Sequence, residues 1–330
     1  MKIAVFNTKS YDQDYFENYN KNYHFDFTFL ESALNEKTAQ ITSGFDAVCV
    51  FVNDVVNKET IKILAENGIR LIALRCAGYN NVDLEAAREA HIKVVRVPAY
   101  SPEAVAEHAM ALILTLNRKT HKAYNRVREG NFSLKNLIGF NIHGKTLGVI
   151  GTGQIGAAFC HVAQGFGVQI LAFDINENQA LKDLGVTFVS LKELFKKSDI
   201  ISLHCPLNVH TKHIINKSSI AEMKEGVMII NTSRGALIDT NDVIDGLINN
   251  KIGYLGIDVY EQEENLFFED HSEHIIKDET ILRLMSFPNV LITSHQAFFT
   301  QEAMDKITTT TLDNIKSFKE GAVLKNEVKT

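Results

Sequence analysis

The apolar run Thr146-Leu147-Gly148-Val149-Ile150 leads into Gly151-Thr152-Gly153-Gln154-Ile155-Gly156 and then into a helical pattern that lasts to Gly165. Few folds admit a strand that turns into a helix on glycines so spaced. Gly151 permits the tight turn, Gly153 lets backbone N–H groups approach a pyrophosphate, and Gly156 lets the helix lie close against the strand. The helix N-terminus offers unpaired N–H groups and a partial positive charge to phosphate oxygens. Eighteen residues beyond Gly156, at the end of the next strand Gln169–Phe173, stands Asp174. A carboxylate there accepts hydrogen bonds from ribose hydroxyls and repels an added 2′-phosphate. The reading is an NAD site rather than an NADP site; a glycine-rich turn beside an unrelated surface Asp is the bland alternative.

The rest of the chain has the same grammar. Lys2–Phe6, Ala47–Phe51, Leu71–Leu74 and Lys93–Val97 read as strands, with helices at Val55–Asn67 and Val82–Ala90. Such alternation predicts a parallel sheet covered on both faces. At Val97-Pro98-Ala99-Tyr100-Ser101-Pro102 it breaks: Ser101 suits a helix cap and Pro102 the first helical position. One long helix is expected over Glu103–Arg128. A second series follows, with strands at Thr146–Ile150, Gln169–Phe173, Ile200–Leu203, Val227–Ile230, Tyr254–Val259 and Val290–Thr293, enough for a doubly wound sheet by itself. Gln301–Lys319 is a last helix that the sequence assigns to neither sheet. The 330 residues exceed what one core organises, so two domains are expected.

Charge and composition limit the partners. A formal net charge of −6 gives no global positive field for nucleic acid or an anionic membrane, which leaves a small molecule as the expected ligand. An anionic substrate then needs a local cation. The apolar opening Ile3–Phe6 is too short for a signal-peptide core, and no run reaches membrane-spanning length, so a cytoplasmic protein is expected. Cys49, Cys76, Cys160 and Cys205 lie far apart in apolar stretches and read as reduced, buried thiols.

Ligands of doubly wound sheets bind beyond the carboxyl ends of the strands. After Val227–Ile230 comes Arg234, a fork able to grip a carboxylate and polarise a neighbouring carbonyl. Glu263 follows the strand that contains Asp258, and His295 follows Val290–Thr293. A His–carboxylate pair fixes the imidazole tautomer and stabilises its protonated form, as proton delivery to a carbonyl oxygen receiving hydride requires. Taken singly, Arg234 reads as a solvated charge or a structural ion pair, His295 as a surface or satisfied core residue and Glu263 as part of a solvated acidic loop. Three complementary groups at three strand ends behind a dinucleotide turn read as a site. His271 and His274 with Glu269 and Asp270 fit no closed zinc set, so no metal is expected. His204-Cys205-Pro206 should line the cofactor crevice. The apolar Ala104–Leu116 of the long helix suggests a homo-oligomer joined there, burial within the monomer being the alternative.

Several stretches together resemble the D-isomer-specific 2-hydroxyacid dehydrogenases, most closely their fermentative, D-lactate-forming branch. They are Ala73–Asp83, Val95–Ala106, Gly148–Gly156, Leu203–Leu207, Asn231–Asp239, Gly256–Tyr260, Leu266–Asp270 and His295–Phe298, so the resemblance spans essentially the whole chain. It implies a Rossmann-type NAD domain, 101–298, inserted in a flavodoxin-like substrate domain, 1–100 plus 299–330, with the active site in a cleft between them. It implies reversible reduction of pyruvate to D-lactate with NADH. His295 would be the proton donor, Glu263 the acid that orients it and favours its protonated form, and Arg234 the substrate-binding cation. Cofactor contacts would fall on Gln154, Ile155, Asp174, Cys205, Pro206, Thr232, Ser233 and Asp258. Substrate contacts would be the Ala77 and Gly78 backbone, Tyr100 and Phe298, the last at a position where some members carry Tyr. A longer 2-oxo acid remains open as substrate, and from another class, an NAD(H)-sensing protein without catalysis.

Overall fold

The structure, a computed structural model, describes residues 1–263 and 266–329; Glu264 and Asn265, in the acidic segment after Tyr260, and Thr330 lie outside the described residues. It divides into two compact units, Met1–Ser101 with the segment from Phe299 on, and Pro102–Phe298.

The first unit runs β1 (Lys2–Val5), α1 (Ser10–Asn20), β2 (Asp26–Phe29), β3 (Ala47–Val50), α2 (Lys58–Glu66), β4 (Leu71–Leu74), α3 (Leu84–Glu89) and β5 (Lys93–Val95). Its strands pair in parallel in the order β2-β1-β3-β4-β5, the flavodoxin-like sequence of crossovers. Side chains alternate across the pleat. Val48, Val50, Ile72 and Leu74 therefore face α2 and α3 through Ile61, Leu64, Ala86 and Ala87. Ala47, Cys49, Leu71 and Ala73 face Phe16 of α1 and Leu312 and Ile315 of the C-terminal helix Gln301–Lys319. That helix, which the sequence left unassigned, thus covers the second face of this sheet.

The second unit begins with α4 (Pro102–Arg118) and α5 (Thr120–Arg128), where one helix was expected. Lys119 separates them in a left-handed conformation (φ 51°), its ammonium donating to the carbonyls of Asn136 and Ile138. Then follow β6 (Thr146–Ile150), α6 (Gln154–Gln164), β7 (Gln169–Phe173), α7 (Gln179–Asp183), β8 (Thr187–Phe188), α8 (Leu191–Lys197) and β9 (Ile200–Leu203). After them come α9 (Lys217–Glu222), β10 (Val227–Asn231), α10 (Thr240–Ile248), β11 (Ile252–Ile257), α11 (Glu279–Ser286) and β12 (Val290–Ile292), the C-terminal helix being α12. The parallel order β12-β11-β10-β9-β6-β7-β8 is the Rossmann order extended by one strand, and it reverses between β6 and β9. Leu147, Val149, Met228 and Ile230 pack under α4 and α6. Ile201, Leu203, Val227 and Ile229 pack under α8 to α11.

Three expectations need correction. The strand expected at Tyr254–Val259 ends at Ile257, so Asp258 opens the following loop instead of sitting in the strand. Edge strands β2 and β8 were not foreseen. The apolar residues Ala106, Ala109, Met110, Leu112, Ile113 and Leu116 of α4 are packed into the core of their own unit and are not available to a second chain.

Candidate active site

The reversal of strand order puts the loop after β6 beside the loop after β9, and the dinucleotide turn is built there. Gly151 has φ +92°, and a Cβ on it would lie 2.5 Å from the Cys205 backbone nitrogen. A Cβ on Gly156 would lie 2.0 Å from the Gly151 carbonyl oxygen, so both positions are closed to side chains. At Gly153 the same test finds open space, and Gly153 is the residue from which α6 starts. An open, side-chain-free helix start with unpaired amides is what a pyrophosphate requires. Gln154 and Ile155 form the first turn of α6, the former exposed and the latter half-buried.

Asp174 ends β7 with its carboxylate turned back on the glycine turn. It accepts from the Thr152 N–H (2.6 Å) and hydroxyl (3.0 Å) through Oδ2 and from the Asn176 N–H (3.0 Å) through Oδ1. Burial alone would raise its pKa, but these hydrogen bonds outweigh it and hold the carboxyl below the ordinary range. It stays an anion with acceptor capacity left for ribose hydroxyls.

Across the reversal, His204 is a neutral filler: burial pushes its pKa down to about 3, it meets the Ser202 hydroxyl at 2.9 Å and its ring lies 4.7 Å from that of Phe159. Burial pushes the Cys205 thiol up to about 11, so it is no nucleophile at neutral pH. The Cys205 carbonyl accepts from the Ser233 hydroxyl at 2.8 Å, and Pro206 is exposed beside it. Thr232 is buried, and its hydroxyl has no partner among the described residues. The open Gly153, the charged Asp174 and this orphaned hydroxyl all fit a bound NAD.

Arg234 follows β10 in the turn Asn231–Gly235. The Asn231 side chain braces the turn by donating to the Arg234 carbonyl (2.8 Å) and accepting from the Ser233 N–H (3.1 Å). One guanidinium nitrogen donates to the Ser233 carbonyl at 2.7 Å; the rest of the half-buried fork has no partner among the described residues.

The loops after β11 and β12 bring Glu263 to His295. Glu263 Oε1 lies 2.8 Å from His295 Nδ1, and Oε2 accepts from the Tyr260 N–H at 2.9 Å. A carboxylate facing Nδ1 places a proton there, leaving Nε2 to face a reactant, and Nε2 has no partner among the described residues. Both side chains are more than four-fifths enclosed. His295 holds a left-handed conformation (φ 53°), unusual for a non-glycine residue and here fixed by its N–H bond to the Asp258 carbonyl (2.7 Å).

Asp258, expected at the cofactor, is fully enclosed, and its carboxylate faces the His295 loop. It accepts from the Thr293 hydroxyl (2.5 Å) and the N–H groups of Gln296 (2.9 Å) and Ala297 (2.8 Å). Tyr260 and Asp258 as braces of the His295–Glu263 pair were missed from sequence, because the bracing uses backbone N–H groups that no motif displays. Phe298 is buried at the end of this loop.

Ala77, Gly78 and Tyr100 belong to the first unit. The carbonyl of Ala77 accepts from Arg96, and that of Gly78 from the Cys76 thiol. No cluster of three metal-ligating side chains occurs among the described residues.

With this geometry in place, comparison with known proteins gives a consistent answer. Residues 110–297 match the family model described as "D-isomer specific 2-hydroxyacid dehydrogenase, NAD binding domain". The chain is 52% identical over 328 residues to a D-lactate dehydrogenase of Escherichia coli, covering 99% of this chain and 100% of that one. It is 53% identical over 328 residues to a 2-hydroxyacid dehydrogenase homolog of Haemophilus influenzae, 99% of each chain being covered. Among solved structures it is similar to apo D-lactate dehydrogenase from Escherichia coli (TM-score 0.92, 49% identity, 100% of both chains covered). The fold and turn define an NAD-binding oxidoreductase. The chain belongs to the D-isomer specific 2-hydroxyacid dehydrogenase family.

Proposed function

We propose that this protein reduces pyruvate to D-lactate with NADH, reversibly. The observation that carries the reading is the His295–Glu263 pair at 2.8 Å, in an NAD-binding unit of a chain half identical to a D-lactate dehydrogenase.

NADH supplies the hydride when bound at the Gly151–Gly156 turn. Arg234 grips the substrate carboxylate through parallel N–H···O bonds and polarises the carbonyl to be reduced. His295 delivers a proton from Nε2 to the carbonyl oxygen as negative charge builds there, and accepts it in the reverse direction. Glu263 fixes the ring by holding Nδ1–H and stabilises the imidazolium. Ala77 and Gly78 N–H groups receive the substrate carboxylate, and Tyr100 and Phe298 shape the space around the substrate methyl. The first unit, 1–100 with 299–330, is thus the substrate domain, and 101–298 the cofactor domain.

Two further readings accompany this one. The protein works in the cytoplasm, supported by four buried cysteines, none of them in a disulfide among the described residues. It is a homo-oligomer joined through α5 and the segment after it, where Tyr124, Phe132, Leu134 and Ile138 are exposed. Exposed apolar side chains so close along the chain support that reading.

The test is NADH consumption over a panel of 2-oxo acids of increasing chain length, with chiral analysis of the product. Highest kcat/KM for pyruvate with D-lactate as product supports the reading. A peak at a longer acid moves the substrate assignment, and no consumption with any short 2-oxo acid removes the proposal.

A further inference from the structure

α4 carries one imidazole on an otherwise apolar face. His108 stands one helical turn from Ala104 and Leu112, both buried, and its own side chain is 18% exposed. Its Nε2 lies 3.0 Å from the Thr293 hydroxyl oxygen and 3.5 Å from Asp258 Oδ1. Thr293 has a single hydroxyl proton, and at 2.5 Å that proton goes to the Asp258 carboxylate, which only accepts. Nε2 of His108 must therefore be the donor to Thr293.

The bonds converge on Asp258: His108 donates to Thr293, Thr293 donates to the Asp258 carboxylate, and the loop that carries His295 donates its N–H groups to the same residue. Oδ1 also takes the N–H of Gln296, Oδ2 that of Ala297, and the Asp258 carbonyl that of His295. Three consecutive residues thus hang on one aspartate, and the middle of β12's outgoing loop is held in the left-handed turn at His295 by this anchor. Against its burial, the nearby His108 and the hydrogen bonds from Thr293 and Ala297 hold this carboxyl below the usual range, so it stays an ionised acceptor for the loop.

We propose that His108 is a positioning residue for the reaction: through Thr293 and Asp258 it sets the orientation of His295. The inference rests on the proton-donor role proposed for His295. A plain core histidine would account for burial, but not for a donor aimed at the group that holds the three N–H groups of residues 295–297.

The experiment compares His108→Leu, which fills the space without a donor, with His108→Gln, which keeps an N–H donor, and with Thr293→Val, which cuts the same chain one link on. In the wild type, pyruvate reduction and its loss in His295→Gln establish the underlying roles separately. With those in hand, His108→Leu should lower kcat for pyruvate about tenfold while the Kd for NADH, read by fluorescence titration, stays within twofold. His108→Gln should recover most of kcat. Thr293→Val should reproduce the loss, and His108→Leu/Thr293→Val should lose little more than either alone, because one chain is cut once. Wild-type kcat in His108→Leu, failure of Gln to rescue, or multiplicative losses in the double variant would each overturn the inference. If His108→Leu does not fold, the comparison of Gln with Thr293→Val decides it by the same criteria.

Discussion

Gly235 should accept a side chain only by displacing the backbone beside it, and its replacement should show how closely the Arg234 turn and the Glu263 segment are built against each other. Gly235 follows Arg234, and its α-carbon faces the peptide that leads to Glu263. A Cβ there would lie 2.1 Å from the Tyr260 carbonyl carbon, 2.3 Å from the Glu261 nitrogen and 2.3 Å from the Tyr260 carbonyl oxygen. All three are backbone atoms, so no rotamer change relieves the clash. Ordinary contact begins near 3.4 Å, so Gly235→Ala must drive the Arg234 turn and the Tyr260–Glu263 segment apart by about 1.3 Å. His213 resists this, because its N–H donates to the Ala236 carbonyl and its Nε2 meets Glu261 Oε1, both at 2.8 Å. Overpacking of this kind costs about 1–3 kcal/mol in stability. A displacement of about 1 Å at reacting groups costs on the order of 10²-fold in rate. The assay is steady-state NADH oxidation with pyruvate, alongside urea unfolding and NADH titration. The expected result is a folded, NADH-binding protein whose kcat/KM for pyruvate falls about 10²-fold. A Gly235→Ala protein with wild-type kcat/KM would refute the claim that this close approach sets the spacing of Arg234 and Glu263.

Other expectations follow from the same structure. Asp174→Ala removes the anion that repels a 2′-phosphate, so the ratio of kcat/KM for NADPH over NADH should rise at least about tenfold; an unchanged ratio rejects Asp174 as the discriminating group. In the first unit, the buried Arg75 guanidinium donates to the carbonyls of Phe6 and Asn7 and sits 3.4 Å from Asp12, while burial pushes the nearby Asp54 up to about 6 against the pull of Arg75 and two amides. Arg75→Met should destabilise the protein by about 3–5 kcal/mol in denaturant unfolding, and a loss under 1 kcal/mol would contradict that role. The Asp258 carboxyl has a depressed pKa in the folded state, so its stabilisation is present above the unfolded value near 4 and is lost as pH falls through the lower folded value. Stability curves below about pH 4 should therefore fall more steeply for the wild type than for Asp258→Asn; parallel curves would show that Asp258 carries no such linkage.

Central strands were legible because both their faces are buried. Leu71–Leu74, Thr146–Ile150 and Ile200–Leu203 end where their apolar runs end. Edge strands β2 and β8 were not, since a half-exposed pair such as Thr187-Phe188 leaves no run to detect. The break at Lys119 escaped because lysine is a good helix former, and only the carbonyls of Asn136 and Ile138, distant in sequence, show what holds it there. The apolar stripe of α4 was visible, but its partner was not: periodicity shows that a face is buried, never against what. At the site, residue types at strand ends were enough to single out Glu263 and His295, which the fold brings to 2.8 Å. The supports were hidden, because Asp258, Tyr260 and His108 meet the pair through backbone amides and a threonine hydroxyl that two separate loops and helix α4 bring together.

The account stands most directly on the proton held by His295. Its replacement by Gln should cut kcat for pyruvate reduction by at least about 10²-fold at saturating NADH, with the Kd for NADH unchanged. A His295→Gln protein that turned over pyruvate at a near-wild-type rate would contradict it.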